Sequence, residues 1–491
     1  MIKRNPRLNS VQLFLVSMAI VLIVVSWWNV LRLDNGLTVS MEEYEDLSLR
    51  YIQPTNGHDL PAVIIAHGYG GSQQIMLGYA YAFANSGYAV MMFDFSGHAS
   101  NPAPLDTERN SLQNDIEKAY QALIIHPGVN KEQIALLGHS MGSGAVMSAG
   151  IDNPDKYLAV VAVSPTGADV TTTLPQNLLL QAGTLEGNFV ENAKQLLVDA
   201  GGQSFDFENL TARNFVEIEN TEHISILFSS KSQNLAVNWV NSAFEIDKDS
   251  EYRDLRIAWY GLHLIGWLIF IPGFKPLIKF QLSATPENAP LLRKWLTFLL
   301  APISAIVTLS LLGSVWDTSK FLGLQVGGSL GIWMLVMGLI WLFIGTKIKS
   351  PRRKYFSWGL LFFFFIWLSL GQMAQFTWMQ SMLIPARIWR ALLIALACWP
   401  WKLAAGYNIR GSKGWKRIGL WILQTSVLMA ALIATAMYIP GMGIIMLIAP
   451  VLPIILLVEG IIGSQFDDPW VFSVGSSLLF GWLIASFFPL I

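Results

Sequence analysis

The 491-residue chain has one cysteine, Cys398, and little charge: Asp, Glu, Lys and Arg make up 13%. A single cysteine forms no intrachain disulfide, and without a Cys-x-x-Cys pair there is no zinc ribbon or dithiol redox motif. His-Glu-x-x-His is absent too, and the seven histidines follow no zinc spacing. The net charge is -1, so the basic balance of a nucleic-acid binder is missing. The expectation is no metal, no cofactor and no nucleic-acid partner. What the chain has in excess is apolar residues, at 53% with a mean hydropathy of +0.46. That exceeds the range of a soluble protein of this length and points to a membrane protein.

The apolarity is uneven and suggests three parts: a segment at 1–33, a region of ordinary globular charge density at 34–250, and a mostly apolar region at 251–491. In the first, Lys3, Arg4 and Arg7 precede the uncharged residues 11–28, long enough to span a bilayer core of about 30 Å. No convincing small-x-small cleavage site follows, so an uncleaved signal anchor is expected, with a cleaved signal peptide as the alternative. The third part holds about eight apolar runs, near 257–274, 295–314, 321–345, 356–378, 387–404, 418–438, 442–460 and 470–490. Basic residues fall in alternate loops: Lys275, Lys279, Arg293 and Lys294; then Lys347, Lys349, Arg352, Arg353 and Lys354; then Lys402, Arg410, Lys413, Lys416 and Arg417. Basic loops stay in the cytoplasm. A multi-pass protein of the cell membrane follows, with its N-terminus cytoplasmic and residues 34–250 outside. Ionisable groups within the spans are few, chiefly His263 and Glu459, which is thin for a transport pathway. Pro440, Gly441, Pro450 and Pro453 suggest a broken or re-entrant element.

Chemistry concentrates at residues 134–144. The run Ile134-Ala135-Leu136-Leu137 ends in Gly138-His139-Ser140-Met141-Gly142 and passes into small, helix-compatible residues. This is Gly-x-Ser-x-Gly in its required context of strand, sharp turn and helix. A serine there is lifted above the sheet and stands at a helix N-terminus, where free N–H groups favour developing negative charge. Further apolar strands are expected at 62–66, 88–93, 158–164, 177–181 and 213–219, with a hairpin at 36–53 and helices at 74–86, 107–125 and 234–246. Strands alternating with helices give a mostly parallel sheet covered on both faces.

Residues 36–246 resemble an α/β-hydrolase. The match lies in the order His67-Gly68-x-Gly70-Gly71, then Asp94-x-x-Gly97-His98, then the Ser140 motif, an acid and a histidine, each just after a strand. The resemblance implies that fold, joined here to an all-α transmembrane bundle. It implies Ser140 as nucleophile, His223 as general base and Glu186, where aspartate is usual, as the acid; Glu191 and Asp169 remain alternatives for the acid. It further implies that the backbone N–H groups of Tyr69 and Met141 form the oxyanion hole, and that the Asp94 turn is structural, with Ala99 where the family has glycine. Only residues 165–176 separate two strands where many lipases insert a cap, so the site is expected to be open, or covered by the bilayer or the C-terminal helices.

The expected function is that of a membrane-anchored serine hydrolase cleaving an acyl ester, lipid-like in view of the adjoining bilayer. An acyltransferase using the same acyl-enzyme, a peptidase, or a transporter whose hydrolase-like part is a binding module are the alternatives. Protein partners are not legible.

Overall fold

The computed structural model describes residues 8–106, 110–274, 291–345, 348, 350, 353–410, 414–466 and 468–491. Of the basic residues counted above, Lys3, Arg4, Arg7, Lys275, Lys279, Lys347, Lys349, Arg352 and Lys413, with the side chains of Arg293, Lys294 and Arg410, lie outside the described residues.

Eight strands form one sheet: β1 (Leu37–Tyr44), β2 (Leu47–Pro54), β3 (Leu60–Ala66), β4 (Ala89–Phe93), β5 (Val129–His139), β6 (Ala159–Val163), β7 (Leu178–Gly183) and β8 (Arg213–Ile218). Their order is β1-β2-β4-β3-β5-β6-β7-β8. β1 and β2 form an antiparallel hairpin, β2 joins β4 antiparallel, and every other pairing is parallel. The Val-, Ile- and Ala-rich strands are apolar on both faces because both faces are covered. Ala62, Ile64, Met91, Phe93 and Leu136 point into one layer, while Val63, Ile65, Val90, Met92 and Leu137 point into the other. Helices α3 (Ser111–Ile125), α4 (Met141–Asp152) and α5 (Gly187–Asp199) cover the first face, and α2 (Leu77–Asn85) and α6 (Ser230–Ala243) the second. This is the α/β-hydrolase fold. α5 has no counterpart in the expected elements, although Val190, Ala193 and Leu196 recur at helical spacing and are its buried residues.

The helical part comprises α1 (Ser10–Leu31), α7 (Arg256–Phe274), α8 (Leu291–Gly313), α9 (Gly327–Gly345), α10 (Lys354–Thr377), α11 (Pro385–Arg410), α12 (Gly414–Tyr438), α13 (Leu452–Gly463) and α14 (Pro469–Phe487). Seven helices among the described residues, namely α1, α8, α9, α10, α11, α12 and α14, are long and apolar enough to cross a membrane. α7 spans the run expected near 257–274. One of the expected runs differs. Residues 442–460 make a 3-10 turn at Met442–Leu447 followed by the 12-residue α13. The 12 residues rise about 18 Å, well short of a bilayer core. Proline at 440, 450 and 453 removes the amides that a continuous helix needs.

α14 is the axis of the bundle, 83% buried against 17% for α1. It crosses α11 at Gly481, where a Cβ would lie 2.2 Å from Ala391 O, the close backbone approach that small residues permit between membrane helices. Lys402 departs from its expected loop position. It lies inside α11, buried, with its Nζ donating to both carboxylate oxygens of Glu459 at 2.9 Å. The pair lines a cavity of about 570 Å³ between α11, α12 and α13.

The sheet part sits on one end of this bundle. Arg256, at the start of α7, donates to Gln74 O at 3.2 Å and to Thr377 O, at the end of α10, at 2.7 Å. Gln74 Nε2 reaches Gln380 Oε1 at 2.6 Å. Arg387, in the first turn of α11, donates to Ala99 O at 2.9 Å.

Candidate active site

β5 ends at His139, and α4 begins at Met141. Ser140 is the hinge, with φ 52° and ψ -120°, a strained conformation for a residue with a Cβ. Its N–H is held by Val163 O at 2.9 Å. Its carbonyl accepts from Ser143 Oγ at 2.5 Å and Thr166 Oγ1 at 3.2 Å. The flanking glycines are demanded by space: a Cβ on Gly138 would lie 2.2 Å from Gly142 O, and one on Gly142 would lie 2.5 Å from His67 O. The first turn of α4 leaves the Met141 N–H without an intrahelical partner.

The structure brings Ser140, His223 and Glu186 together from three loops. Ser140 Oγ and His223 Nε2 are 3.0 Å apart. His223 Nδ1 and Glu186 Oε2 are 3.5 Å apart, and Glu186 Oε1 accepts from Ser164 Oγ at 2.9 Å. Glu186 is 6% exposed. The alternatives for the acid lie elsewhere: Glu191 pairs with Lys194 at 3.2 Å on the surface, and Asp169 is exposed. Two further residues fix His223. Phe189, from α5, stacks on its ring with centroids 4.4 Å apart, and His139 Nε2 donates to its carbonyl at 2.9 Å. The His139 ring itself lies 4.7 Å from that of His223. Helical spacing after residue 187 is the signal that places Phe189 beside the Glu186 loop; nothing in the sequence marks the role of His139.

Tyr69 belongs to the loop after β3, close to Ser140: a Cβ on Gly68 would lie 3.1 Å from Ser140 Cβ and 2.9 Å from His139 Nδ1. The loop is braced from behind. His67 Nε2 accepts from Phe95 N–H at 3.0 Å, and Asp94 Oδ1 accepts from Gln73 N–H at 2.8 Å. Burial holds His67 below the ordinary imidazole range against the opposing pull of Asp94, and burial drives His98 and His139 well below it. All three are neutral hydrogen-bonding elements. His126 is remote, stacked on Tyr51. A groove of about 490 Å³ opens in front of Ser140, lined by Tyr69, Met141, Leu112, Ala145 and, from the bundle, Ile444.

Chemically, a hydroxyl within hydrogen-bonding reach of an imidazole backed by a carboxylate is an activated nucleophile. Residues 37–243 carry the α/β-hydrolase fold, with a serine at the elbow between β5 and α4. Residues 58–219 match the hydrolase family described as serine aminopeptidase, S33. A stretch of 154 residues, 30% of this chain, is 26% identical to an uncharacterized protein of Mycobacterium tuberculosis and spans 54% of it, so the chain covers about half the length of that relative. A stretch of 135 residues, 27% of this chain, is 26% identical to the dihydrolipoyllysine-residue acetyltransferase component of the acetoin cleaving system of Cupriavidus necator, covering 34% of that protein. Among solved structures, esterase Est22 aligns at 15% identity over 46% of this chain and 87% of its own, with a TM-score of 0.34. The dienelactone hydrolase of Anabaena variabilis aligns at 18% identity over 42% and 97%, with a TM-score of 0.34.

Proposed function

We propose that the chain is a membrane-anchored serine hydrolase that cleaves acyl esters through a Ser140–His223–Glu186 triad. The observation that carries this reading is the 3.0 Å approach of Ser140 Oγ to His223 Nε2, with a buried carboxylate on the other ring nitrogen. Ser140 Oγ attacks the acyl carbonyl while His223 takes its proton. The Tyr69 and Met141 N–H groups receive the oxyanion, and His223 returns the proton to the leaving alcohol. Water, deprotonated by His223, then attacks the acyl-enzyme and releases the acid.

The substrate class follows from the groove. Its walls are mostly apolar, and Ile444 brings in a segment of the bundle, so an acyl chain held by a membrane-resident ester fits it. The reading places the hydrolase domain on the extracytoplasmic side of the cell membrane. Arg353, Lys354, Lys416 and Arg417 support this, standing at the starts of α10 and α12, each the opposite end from that on the hydrolase side. Basic ends of this kind remain in the cytoplasm.

The test is hydrolysis by full-length protein in membranes of p-nitrophenyl esters of increasing chain length, beside an aminoacyl anilide as the amide counterpart. Ester cleavage abolished by Ser140→Ala, with little anilide cleavage, supports the proposal. Anilide cleavage faster than ester cleavage would replace it with the peptidase activity that the matched family's description names.

A further inference from the structure

A hydrolase domain needs one helix to stay at a membrane, yet here a bundle of helices is locked onto it. One set of contacts converges on the turn at residues 94–101 that braces the Tyr69 loop. Arg387 of α11 is 1% exposed. Its Nε donates to Ala99 O at 2.9 Å and its Nη2 to Gly97 O. Its Nη1 donates to Ala485 O at 2.6 Å and to Phe488 O at 2.9 Å, at the end of α14. One guanidinium thus ties the hydrolase turn to two bundle helices. The C-terminal segment adds a backbone ladder: Leu490 N–H donates to Gly97 O at 2.7 Å, and Leu105 N–H to Leu490 O at 2.8 Å. Gly97 has φ 76°, and a Cβ there would lie 2.3 Å from Leu490 O. The turn is shaped to receive that strand.

From the turn the bonds run to the nucleophile. Asp94 accepts from Ser100 N–H at 3.1 Å on one side and from Gln73 N–H at 2.8 Å on the other. Phe95 N–H fixes His67, whose Nδ1 donates to Gly68 O at 2.7 Å. Gly68 packs against Ser140, and Tyr69 lines the groove in front of it. The bundle also touches the loop directly: the Tyr69 ring packs on the bundle core, and a Cβ on Gly70 would lie 2.7 Å from the Phe487 ring.

We infer that the bundle completes the active site, and that Arg387 with residues 488–490 holds the 94–101 turn, and through it the 67–73 loop, where the Tyr69 amide meets the oxyanion. Arg387 is a positioning residue; it touches no substrate. This rests on the reading of Ser140 as nucleophile and explains what a catalytic domain gains from a polytopic partner. The exposed carbonyls of a turn are ordinarily satisfied by water. Here a rigid fork of donors fixes them, and a fixed donor array is what oxyanion stabilisation requires.

The experiment uses full-length protein in membranes. It measures the rate constant of fluorophosphonate labelling, kcat and KM on a water-soluble ester, and amide hydrogen exchange in residues 67–73 and 95–105. The variants are Arg387→Ala, Arg387→Lys, deletion of residues 489–491, and Arg390→Ala as the control. Arg390 donates to Leu322 O at 2.7 Å and to Ala386 O, both within the bundle. Arg387→Ala is expected to slow labelling and lower kcat by about tenfold or more, with KM within about twofold. Exchange in both loops should accelerate, added guanidinium should restore part of the rate, and Arg387→Lys should fall between. Arg390→Ala should match wild type. Labelling and exchange unchanged in Arg387→Ala overturn the inference, as does an equal loss in Arg390→Ala. Should Arg387→Ala fail to insert, Arg387→Lys and the deletion decide by the same readouts. Should wild type not label at all, the hydrolase reading fails, and exchange alone decides whether Arg387 positions the loop.

Discussion

Phe189 lies over the His223 imidazole, with ring centroids 4.4 Å apart and planes 23° from parallel. The stack leaves the ring few orientations other than the one that presents Nε2 to Ser140. Phe189→Ala frees the ring to turn about χ2 and admits water beside it. The expected result is a fall in kcat of about tenfold with little change in KM. Steady-state kinetics on a soluble ester checks it, and Phe189→Tyr, which keeps the stack, should retain most of the rate. An unchanged kcat in Phe189→Ala would show that the stack does not orient His223.

Glu186 orients His223 in the proposed triad, and its 3.5 Å separation from Nδ1 leaves the carboxylate room to close in as the imidazolium forms. Glu186→Gln keeps the shape and removes the charge, so kcat should fall by about 10² to 10⁴. Glu186→Asp should be milder if backbone movement lets the shorter side chain reach. Glu191→Gln, on the surface, should change nothing. Equal effects of Glu186→Gln and Glu191→Gln would remove Glu186 from the triad.

Asp115 sits under the Ser96 turn, accepting from Ser96 N–H at 2.7 Å and from Ser96 Oγ at 3.1 Å. Burial pushes its carboxyl up from 3.8 to about 6, with the Ser96 bonds opposing. A raised native value means that the folded state favours the protonated form. The stability this contributes is present in full below the ordinary value and is lost as pH rises through about 6. Two units correspond to about 3 kcal/mol at most. Relative to Asp115→Asn, wild type should lose stability between pH 4 and pH 7 and then level off. Thermal unfolding in detergent across that window measures it; a wild-type-to-variant difference independent of pH would contradict it.

Lys402 and Glu459 are a buried pair within the bundle. Glu459→Gln leaves an uncompensated ammonium and should cost about 3–5 kcal/mol, whereas Lys402→Met with Glu459→Leu together should recover most of the loss. The comparison is read as Tm in detergent. A double variant as unstable as the single would show that the pair contributes more than mutual neutralisation.

The fold was legible because its determinants are local. Apolar runs such as Ala62-Val63-Ile64-Ile65 mark buried strands, glycines mark the turns after them, and long uncharged runs mark the long apolar helices. Ser140 carries a motif of its own, whereas His223 and Glu186 are pointed to by the family resemblance. α5 is hard to read from sequence because its polar face outweighs the three apolar positions that give its period. The role of Arg387 is not legible at all. It follows from carbonyls at residues 97, 99, 485 and 488, brought to one point only by tertiary folding. Lys402 reads as a loop charge because its partner, Glu459, stands on a helix 57 residues away.

The central claim is that Ser140 is a nucleophile activated by His223. Fluorophosphonate labelling of the full-length protein in membranes tests it most directly, with wild type compared with Ser140→Ala and His223→Ala. The account predicts that wild type is labelled, that Ser140→Ala is not, and that His223→Ala is labelled far more slowly. A folded, inserted wild type that takes no label, or a Ser140→Ala variant that still does, would contradict it.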